Sequence, residues 1–321
     1  MRDQQPHGQQ PMIERFWKLV YRLRLRRRYE NIDRVRYLKR LSAGKQKNDM
    51  WYYSYRDADQ HGKDEVVIHS RFRGKSVFFY CNPKIHVEQE IIRHGLYEQH
   101  SLDLIADLLE PHANMIIDVG ANIGAITIPL AKVFPNVEVH AFEPNPLAVE
   151  RLQRNLALNK TTNVVLHPVG VGANPGREQL YTASYLEIGN SSFLKPAGDT
   201  NENKSTAVAV ETLDNRFSVG TGGVNGQVGL IKIDVQGYEH QVLHGATALV
   251  LRDRPYIVFE HQDENFASLE EARDAKQWFL QFFRDNGYTV LYQTRHDASM
   301  MFPAKWDRPL NGNLLAIPTV P

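Results

Sequence analysis

Apolar residues recur along this chain with two periods, and the change from one to the other outlines its elements. Met12, Ile13, Phe16, Trp17, Leu19, Val20 and Leu23 form a broad helical face, which predicts a helix over Met12–Tyr29. Ile32, Val35, Leu38 and Leu41 continue at helical spacing over Ile32–Leu41, and Gly44–Asp49 reads as a connector. Glu65–Arg73 and Lys75–Tyr80 predict a hairpin about Arg73-Gly74, and His86–Arg93 and Leu102–Leu109 predict two helices. From Met115 the pattern alternates: strand Met115–Val119, helix Ile123–Val133, strand Val137–Phe142, helix Leu147–Leu158, strand Val164–Val171. Such alternation is the mark of a parallel sheet covered on both faces, and Pro144 and Pro146 suit the start of a helix better than its middle.

The rhythm changes between Gly176 and Phe217, where Glu178–Thr182 and Thr206–Val210 are strand candidates around a polar excursion suited to a lid or substrate loop. It resumes with strand Gly229–Asp234, helix Tyr238–Leu249, strand Tyr256–Glu260 and helix Leu269–Asp285. Tyr288–Gln293 and Leu314–Pro318 read as a closing antiparallel pair. Three regions follow: a largely helical extension over 1–49, an accessory hairpin with helices over 50–110, and an α/β domain over 111–321.

Composition bounds this picture. The chain has 321 residues, 42% of them hydrophobic, enough for a substantial core. The single cysteine, Cys81, permits no internal disulfide and suits a reducing compartment such as the cytoplasm, with apolar packing as its expected role. Nowhere do about 18 apolar residues run together, so no membrane crossing is expected. The net charge of +1 hides an asymmetry, because residues 1–50 hold 14 Lys or Arg against 5 Asp or Glu. Arg22, Arg24, Arg26, Arg27 and Arg28 follow the apolar face of the first predicted helix. That arrangement suits an anionic membrane surface on the inner side of the cell, or docking on the chain's own acidic body or on a second copy in a homo-oligomer. Nucleic-acid binding is disfavoured, since neither zinc-finger spacing nor an aromatic RNA-binding strand signature accompanies the charge.

The sharpest local feature is Asp118-Val119-Gly120-Ala121-Asn122-Ile123-Gly124, an apolar strand running into a turn of little side-chain bulk. Gly120 permits a tight bend and Gly124 a close approach of the next helix, while Asp118 is placed to meet a bound ammonium group. Two glycines do not make the G-x-G-x-x-G motif of dinucleotide folds, so a structural turn remains an alternative reading. Glu143 lies 19 residues beyond Gly124, after the second predicted strand, where its carboxylate would accept the ribose hydroxyls of an adenosine cofactor.

This order, with Glu143-Pro144-Asn145 closing it, resembles the methyltransferase pattern, and in detail the FkbM family. Ile231-Lys232-Ile233-Asp234-Val235-Gln236-Gly237-Tyr238-Glu239 resembles that family's second hallmark, followed by Val242-Leu243-His244-Gly245-Ala246. Gly95-Leu96-Tyr97-Glu98, Asn155-Leu156, Thr212-Leu213-Asp214 and Glu260 match as well, so that the resemblance covers roughly residues 85–265. It implies a Rossmann-like, seven-stranded class I methyltransferase sheet that uses S-adenosylmethionine. Asp118, Gly120, Ala121, Asn122, Gly124, Glu143, Pro144 and Asn145 would then line the cofactor site. It also implies transfer to an oxygen, often on a sugar or glycosylated product. Gln236 departs from the pattern, which carries Glu there.

Methyl transfer needs donor and acceptor held in line, and a hydroxyl acceptor benefits from a base. Asp234 is the first candidate, with Lys232 two residues earlier on the same strand face. An ion pair or a helix cap is the alternative for this pair. Glu260 would orient a hydroxyl, and His261 is a second candidate base. Ser191, Ser192 and Phe193 suit substrate closure. His240 and His244 have i,i+4 spacing without the order of a zinc motif, so no metal is expected. Methylation of a saccharide or glycoconjugate hydroxyl leads. N- or O-methylation of another small molecule or macromolecule, a non-catalytic cofactor-binding recruiter, and a dehydrogenase are the alternatives.

Overall fold

The computed structural model describes residues 51–53, 65–109, 115–182, 189–194, 204–218, 226–266, 268–294, 301–303 and 311–319. The helices expected over Met12–Tyr29 and Ile32–Leu41 lie outside them, as does the connector.

β1 (Trp51–Tyr53), β2 (Val66–Phe72) and β3 (Lys75–Cys81) form an antiparallel sheet. Arg73 and Gly74 both take positive φ, 46° and 81°, as a two-residue hairpin turn between right-twisted strands requires. α1 (His86–His94) ends on Gly95 at φ 83°, and α2 (Gln99–Leu108) leads to the main sheet.

That sheet contains β4 (Met115–Val119), then α3 (Thr127–Val133), β5 (Glu138–Phe142), α4 (Pro146–Asn159) and β6 (Val164–His167). A branch follows: β7 (Gly170–Val171), β8 (Gly176–Thr182) and β9 (Lys204–Glu211) make a separate three-stranded sheet in the order β7-β9-β8. After α5 (Leu213–Arg216) the chain returns through β10 (Val228–Ile233), α6 (Glu239–His244), α7 (Thr247–Asp253) and β11 (Tyr256–Gln262). α8 (Leu269–Asp285), β12 (Tyr288–Thr294), β13 (Met301–Pro303) and β14 (Asn311–Pro318) complete it.

The strand order is β13-β12-β14-β11-β10-β4-β5-β6. β6, β5, β4, β10 and β11 run parallel, and β14 inserts antiparallel between β11 and β12. The seven expected strands are thus joined by β13 at one edge, which raises the count to eight. The expected closing pair is β12 with β14, in register from Tyr288 opposite Pro318.

Every residue of β4 is buried, as a central parallel strand covered on both faces must be. On one face Ile116, Leu230, Val258 and Leu315 share a core with Ile105 of α2, Leu130 of α3 and Leu152 of α4. Ile68, Phe79 and Cys81 of the hairpin and Ile91 of α1 belong to the same cluster, so no packing boundary falls where sequence suggested one near residue 111. On the other face Ile117, Ile231, Ile257 and Phe259 pack with Leu243 of α6, Leu249 of α7 and Phe279 of α8.

Three predicted elements break where local chemistry intervenes. The helix expected from Ile123 begins only at Thr127, because Asn122 and Gly124 take left-handed φ of 49° and 87°. The strand expected over Val164–Val171 divides at Pro168, which lacks the N–H a ladder needs, so β6 and β7 join different sheets. The helix expected over Tyr238–Leu249 splits at Gly245, where a Cβ would come 2.0 Å from the Gly172 carbonyl oxygen.

Candidate active site

The parallel strands place their C-terminal tips along one edge, and a cavity of about 910 Å³ opens there. The tip of β4 is held by its neighbours: the Gly120 and Ala121 N–H groups both donate to the Phe142 carbonyl at 3.0 Å, and Asp234 N–H donates to the Val119 carbonyl at 3.0 Å. A Cβ on Gly120 would sit 1.9 Å from the Asp234 carbonyl oxygen, and φ is 82° there, so only glycine fits this turn. Gly124 brings α3 against α4, since a Cβ would come 2.5 Å from Leu152 Cδ1.

Glu143, at the tip of β5, lines the cavity and is almost wholly buried. Its Oε2 accepts from Asn122 N–H at 2.8 Å and its Oε1 from Asn145 N–H at 2.9 Å. Burial raises its pKa to about 7, against the pull of those two amides. The amides orient the carboxylate and leave each oxygen a second lone pair toward the cavity. Asn145 caps α4 through Leu147 N–H at 2.9 Å and donates its side-chain amide to Ser191 Oγ at 2.8 Å, tying the inserted segment to this turn. Asn122 Oδ1 is buried beside the cavity without a hydrogen-bond partner. Gly120, Ala121, Asn122, Glu143 and Pro144 all line the wall.

Asp118 does not. It is fully buried beneath the floor, where Oδ2 accepts from Thr127 Oγ1 at 2.5 Å and Oδ1 lies 3.6 Å from Lys232 Nζ. It supports the site through Lys232, and the direct contact with an ammonium expected from sequence is replaced by this ion pair.

Lys232 Nζ stands between Asp118 and Asp234, 3.3 Å from Asp234 Oδ2. Burial works against its charge, but Asp234, Asp118 and Glu98 together raise its pKa, so it is a fixed ammonium. Asp234 Oδ1 accepts from the Gln236 side-chain amide at 2.9 Å, which also reaches Glu260 Oε2 at 3.4 Å. Gln236 sits at φ 55° in a turn held by Glu239 Oε1, which accepts from Val235 and Gly237 N–H at 3.1 Å each. Glu260 lines the cavity with its pKa pushed up to about 8, by burial first and then by Asp234 and Glu98.

His261 is turned the other way. Strand alternation puts it on the opposite face of β11 from Glu260, fully buried against Phe266 and Phe279, with Nε2 3.2 Å from Asp263 Oδ1. Burial drives its pKa down to about 4 despite Asp263. Its candidacy as a base is corrected on position, since it is not part of the cavity wall. Gln262, its neighbour on the cavity face, does line the wall and donates to Glu260.

Ser191, Ser192 and Phe193 all line the cavity. Ser192 Oγ donates to the Gln236 carbonyl at 2.8 Å, and Phe193 packs on Tyr238 with ring centroids 5.0 Å apart. The structure adds residues that sequence reasoning did not assign: Glu98, Tyr97 and Glu90 from the accessory segment, and Gln262 and Asn265. For Tyr97 and Glu98 the signal was the Gly95-Leu96-Tyr97-Glu98 match to the FkbM pattern, which carried no role for either residue. No group of three or more His, Cys, Asp or Glu side chains arranged for a metal occurs among the described residues.

A sheet of this order, with a glycine turn after its central strand and an acid at the next strand tip, defines a class I methyltransferase fold. The FkbM methyltransferase domain model matches residues 118–290, and the chain belongs to that family. It is 29% identical over 180 residues to Methyltransferase 1 of Beauveria bassiana (strain ARSEF 2860), covering 52% of this chain and 70% of that protein. It is 31% identical over 163 residues to Methyltransferase sdnD of Sordaria araneosa, covering 49% of this chain and 56% of that one. The crystal structure of Methyltransferase FkbM from Methylobacillus flagellatus KT aligns with a TM-score of 0.42 at 18% identity, over 69% of this chain and 46% of that chain.

Proposed function

We propose that this protein transfers a methyl group from S-adenosylmethionine to a hydroxyl of a saccharide or glycoconjugate. The observation that carries the reading is the polar end of the cavity, where Asp234 and Glu260 are bridged by the Gln236 amide beside the Lys232 ammonium.

The wall fits the donor. Glu143 is oriented for a ribose diol, the bare Gly120 turn admits a ligand against backbone, and Asn122 Oδ1 is a buried acceptor awaiting a donor. When bound, that cofactor supplies a methyl group already activated on a sulfonium sulfur. The chain's own task is then to orient an acceptor, exclude water and take up one proton. Asp234, immobilised by Lys232 and Gln236, is suited to hold the acceptor hydroxyl. Glu260 Oε2 is suited to receive its proton, because a pKa of about 8 matches a base working near neutrality. Phe193 and Phe266 supply the apolar cover. What supports a hydroxyl-rich acceptor is the concentration of carboxylate, amide and hydroxyl groups at this end, from Glu260, Gln262, Gln236, Asn265 and Ser192.

Incubating the protein with methyl-labelled S-adenosylmethionine and fractionated cell extract, then identifying the product by mass and fragmentation, tests the reading. Label on a sugar oxygen is expected. Label confined to a nitrogen or to a non-glycosylated product would overturn the acceptor class. The basic segment from Arg22 to Arg28, following apolar residues at helical spacing in the sequence, supports placing the enzyme at an anionic membrane surface near a lipid-linked acceptor.

A further inference from the structure

We infer that Glu98, from the accessory segment before the main sheet, is the residue that holds the ammonium of the methyl donor's amino-acid tail. This rests on the reading of the cavity as a site for S-adenosylmethionine, and it reassigns to Glu98 the contact that the sequence pattern places on Asp118.

The sheet gives the donor a direction. Glu143 on β5 is suited to the ribose, the bare Gly120 turn follows on β4, and the tail therefore points toward β10 and β11. Glu98 stands at that far end. It lines the cavity, interacts electrostatically with Asp234 and Lys232, and receives the side-chain amide of Asn313 on β14, the strand that pairs with β11.

The other acids of the wall are engaged. Glu143 accepts two backbone amides at the opposite end. Asp234 is divided between Lys232 and Gln236. Glu260 accepts from Gln262 and Gln236. Glu90 pairs along its own helix with Arg93 at 3.0 Å and His94 at 3.4 Å. Asp118 lies under the floor.

Glu98 differs in its backbone as well. It occupies the N-cap of α2, where an acidic side chain ordinarily accepts an amide of the first turn. Here it makes no such bond, because φ 41° and ψ 50° put it in the left-handed region. That conformation is uncommon for a residue with a side chain. The Asn313 contact, at 3.4 Å, is long for a hydrogen bond to a carboxylate. Burial, and then Asp234, raise the Glu98 pKa against the opposing pull of Lys232 and of hydrogen bonds from Ser101 and Asn313, and Lys232 is itself shared with Asp118 and Asp234. An ammonium with three N–H donors supplies both the charge and the hydrogen bonds.

Calorimetric titration of the full chain separates the contact from a general effect on the cavity. The ligands are S-adenosylhomocysteine, its desamino analogue in which hydrogen replaces the ammonium, and 5′-methylthioadenosine, which lacks the tail. The wild type is expected to prefer S-adenosylhomocysteine over the desamino analogue by at least about tenfold. Glu98→Gln is expected to lose that preference while binding 5′-methylthioadenosine as the wild type does, and Glu98→Asp to retain part of it. Equal wild-type affinity for the first two ligands would overturn the inference without recourse to any variant, as would a preference left intact in Glu98→Gln. Failure of the wild type to bind any of the three would instead overturn the reading of the cavity as a donor site.

Discussion

Glu143, Glu239 and Glu260 all have pKa values raised far above those of carboxyls in water, and burial is the first cause in each. What separates them is what their oxygens face. Glu239 spends one oxygen on the Val235–Gly237 turn and Glu143 is braced by two backbone amides, whereas Glu260 accepts from the Gln236 and Gln262 side-chain amides and faces the cavity. As a proton acceptor Glu260 must be ionised, and with a folded-state pKa of about 8 it is mostly protonated below that pH. We therefore predict that kcat/KM rises about tenfold per pH unit on the acid side and levels off above about 8. Glu260→Gln should lower the plateau by about 10²–10⁴ and flatten the profile, and a variant that keeps the wild-type profile would remove Glu260 from the proton's path. Asp118 and His261 show how far residue type alone can be read. Both were correctly placed near strand tips, but which face each presents depends on strand register and on what covers the sheet, and those are tertiary facts.

At the scale of elements, the accessory segment is fastened to the main sheet by charge as well as by apolar burial. Arg151 of α4 donates to Glu88 of α1 through Nε at 2.7 Å and Nη2 at 2.6 Å, and to Glu65 before β2 through Nη1 at 2.9 Å. All three groups are buried. Asn155 and Asn159 of the same helix accept the Tyr80 and Phe78 N–H groups at 2.9 and 2.8 Å, closing the edge of β3 that a second strand would otherwise pair. Removing the arginine leaves Glu88 buried without its cation and Glu65 with Arg154 alone. Arg151→Ala should therefore lower the unfolding free energy by about 3–5 kcal/mol. Arg154, which reaches Glu65 at 2.7 Å from a partly exposed position, should cost about 1 kcal/mol or less when truncated. Urea denaturation of the two variants measures the contrast, and equal losses would mean that the network adds nothing through its burial. Because α1 and α2 carry Glu90, Tyr97 and Glu98 into the cavity wall, loosening this attachment should weaken cofactor binding as well.

Across the whole molecule, the strand tips of β5, β4, β10 and β11 gather side chains from residues 86 to 266 around one cavity. Among the described residues no helix is long and apolar enough to cross a membrane, and the membrane proposal concerns surface attachment. If residues 12–28 make that attachment, the full-length protein should co-sediment with vesicles rich in phosphatidylserine at low salt and release at high salt. Replacing Arg24, Arg26, Arg27 and Arg28 with Gln should lower the bound fraction severalfold while leaving transfer to a soluble acceptor unchanged. Binding unaffected by the four replacements would favour attachment of this segment to protein. The sequence by itself determined the alternation of strands and helices, the glycine turn and the acid that follows it, because each is written in local period and local sterics. It also carried the family, through the order of its motifs. Only the tertiary structure decided that α1 and α2 share the core of the sheet, that Asp118 is held under the floor by Lys232, and that Glu98 stands at the wall with Asp234 and Glu260. Those outcomes depend on which faces of distant segments meet, and no local pattern encodes the distance between residues 98 and 313 once the chain has folded.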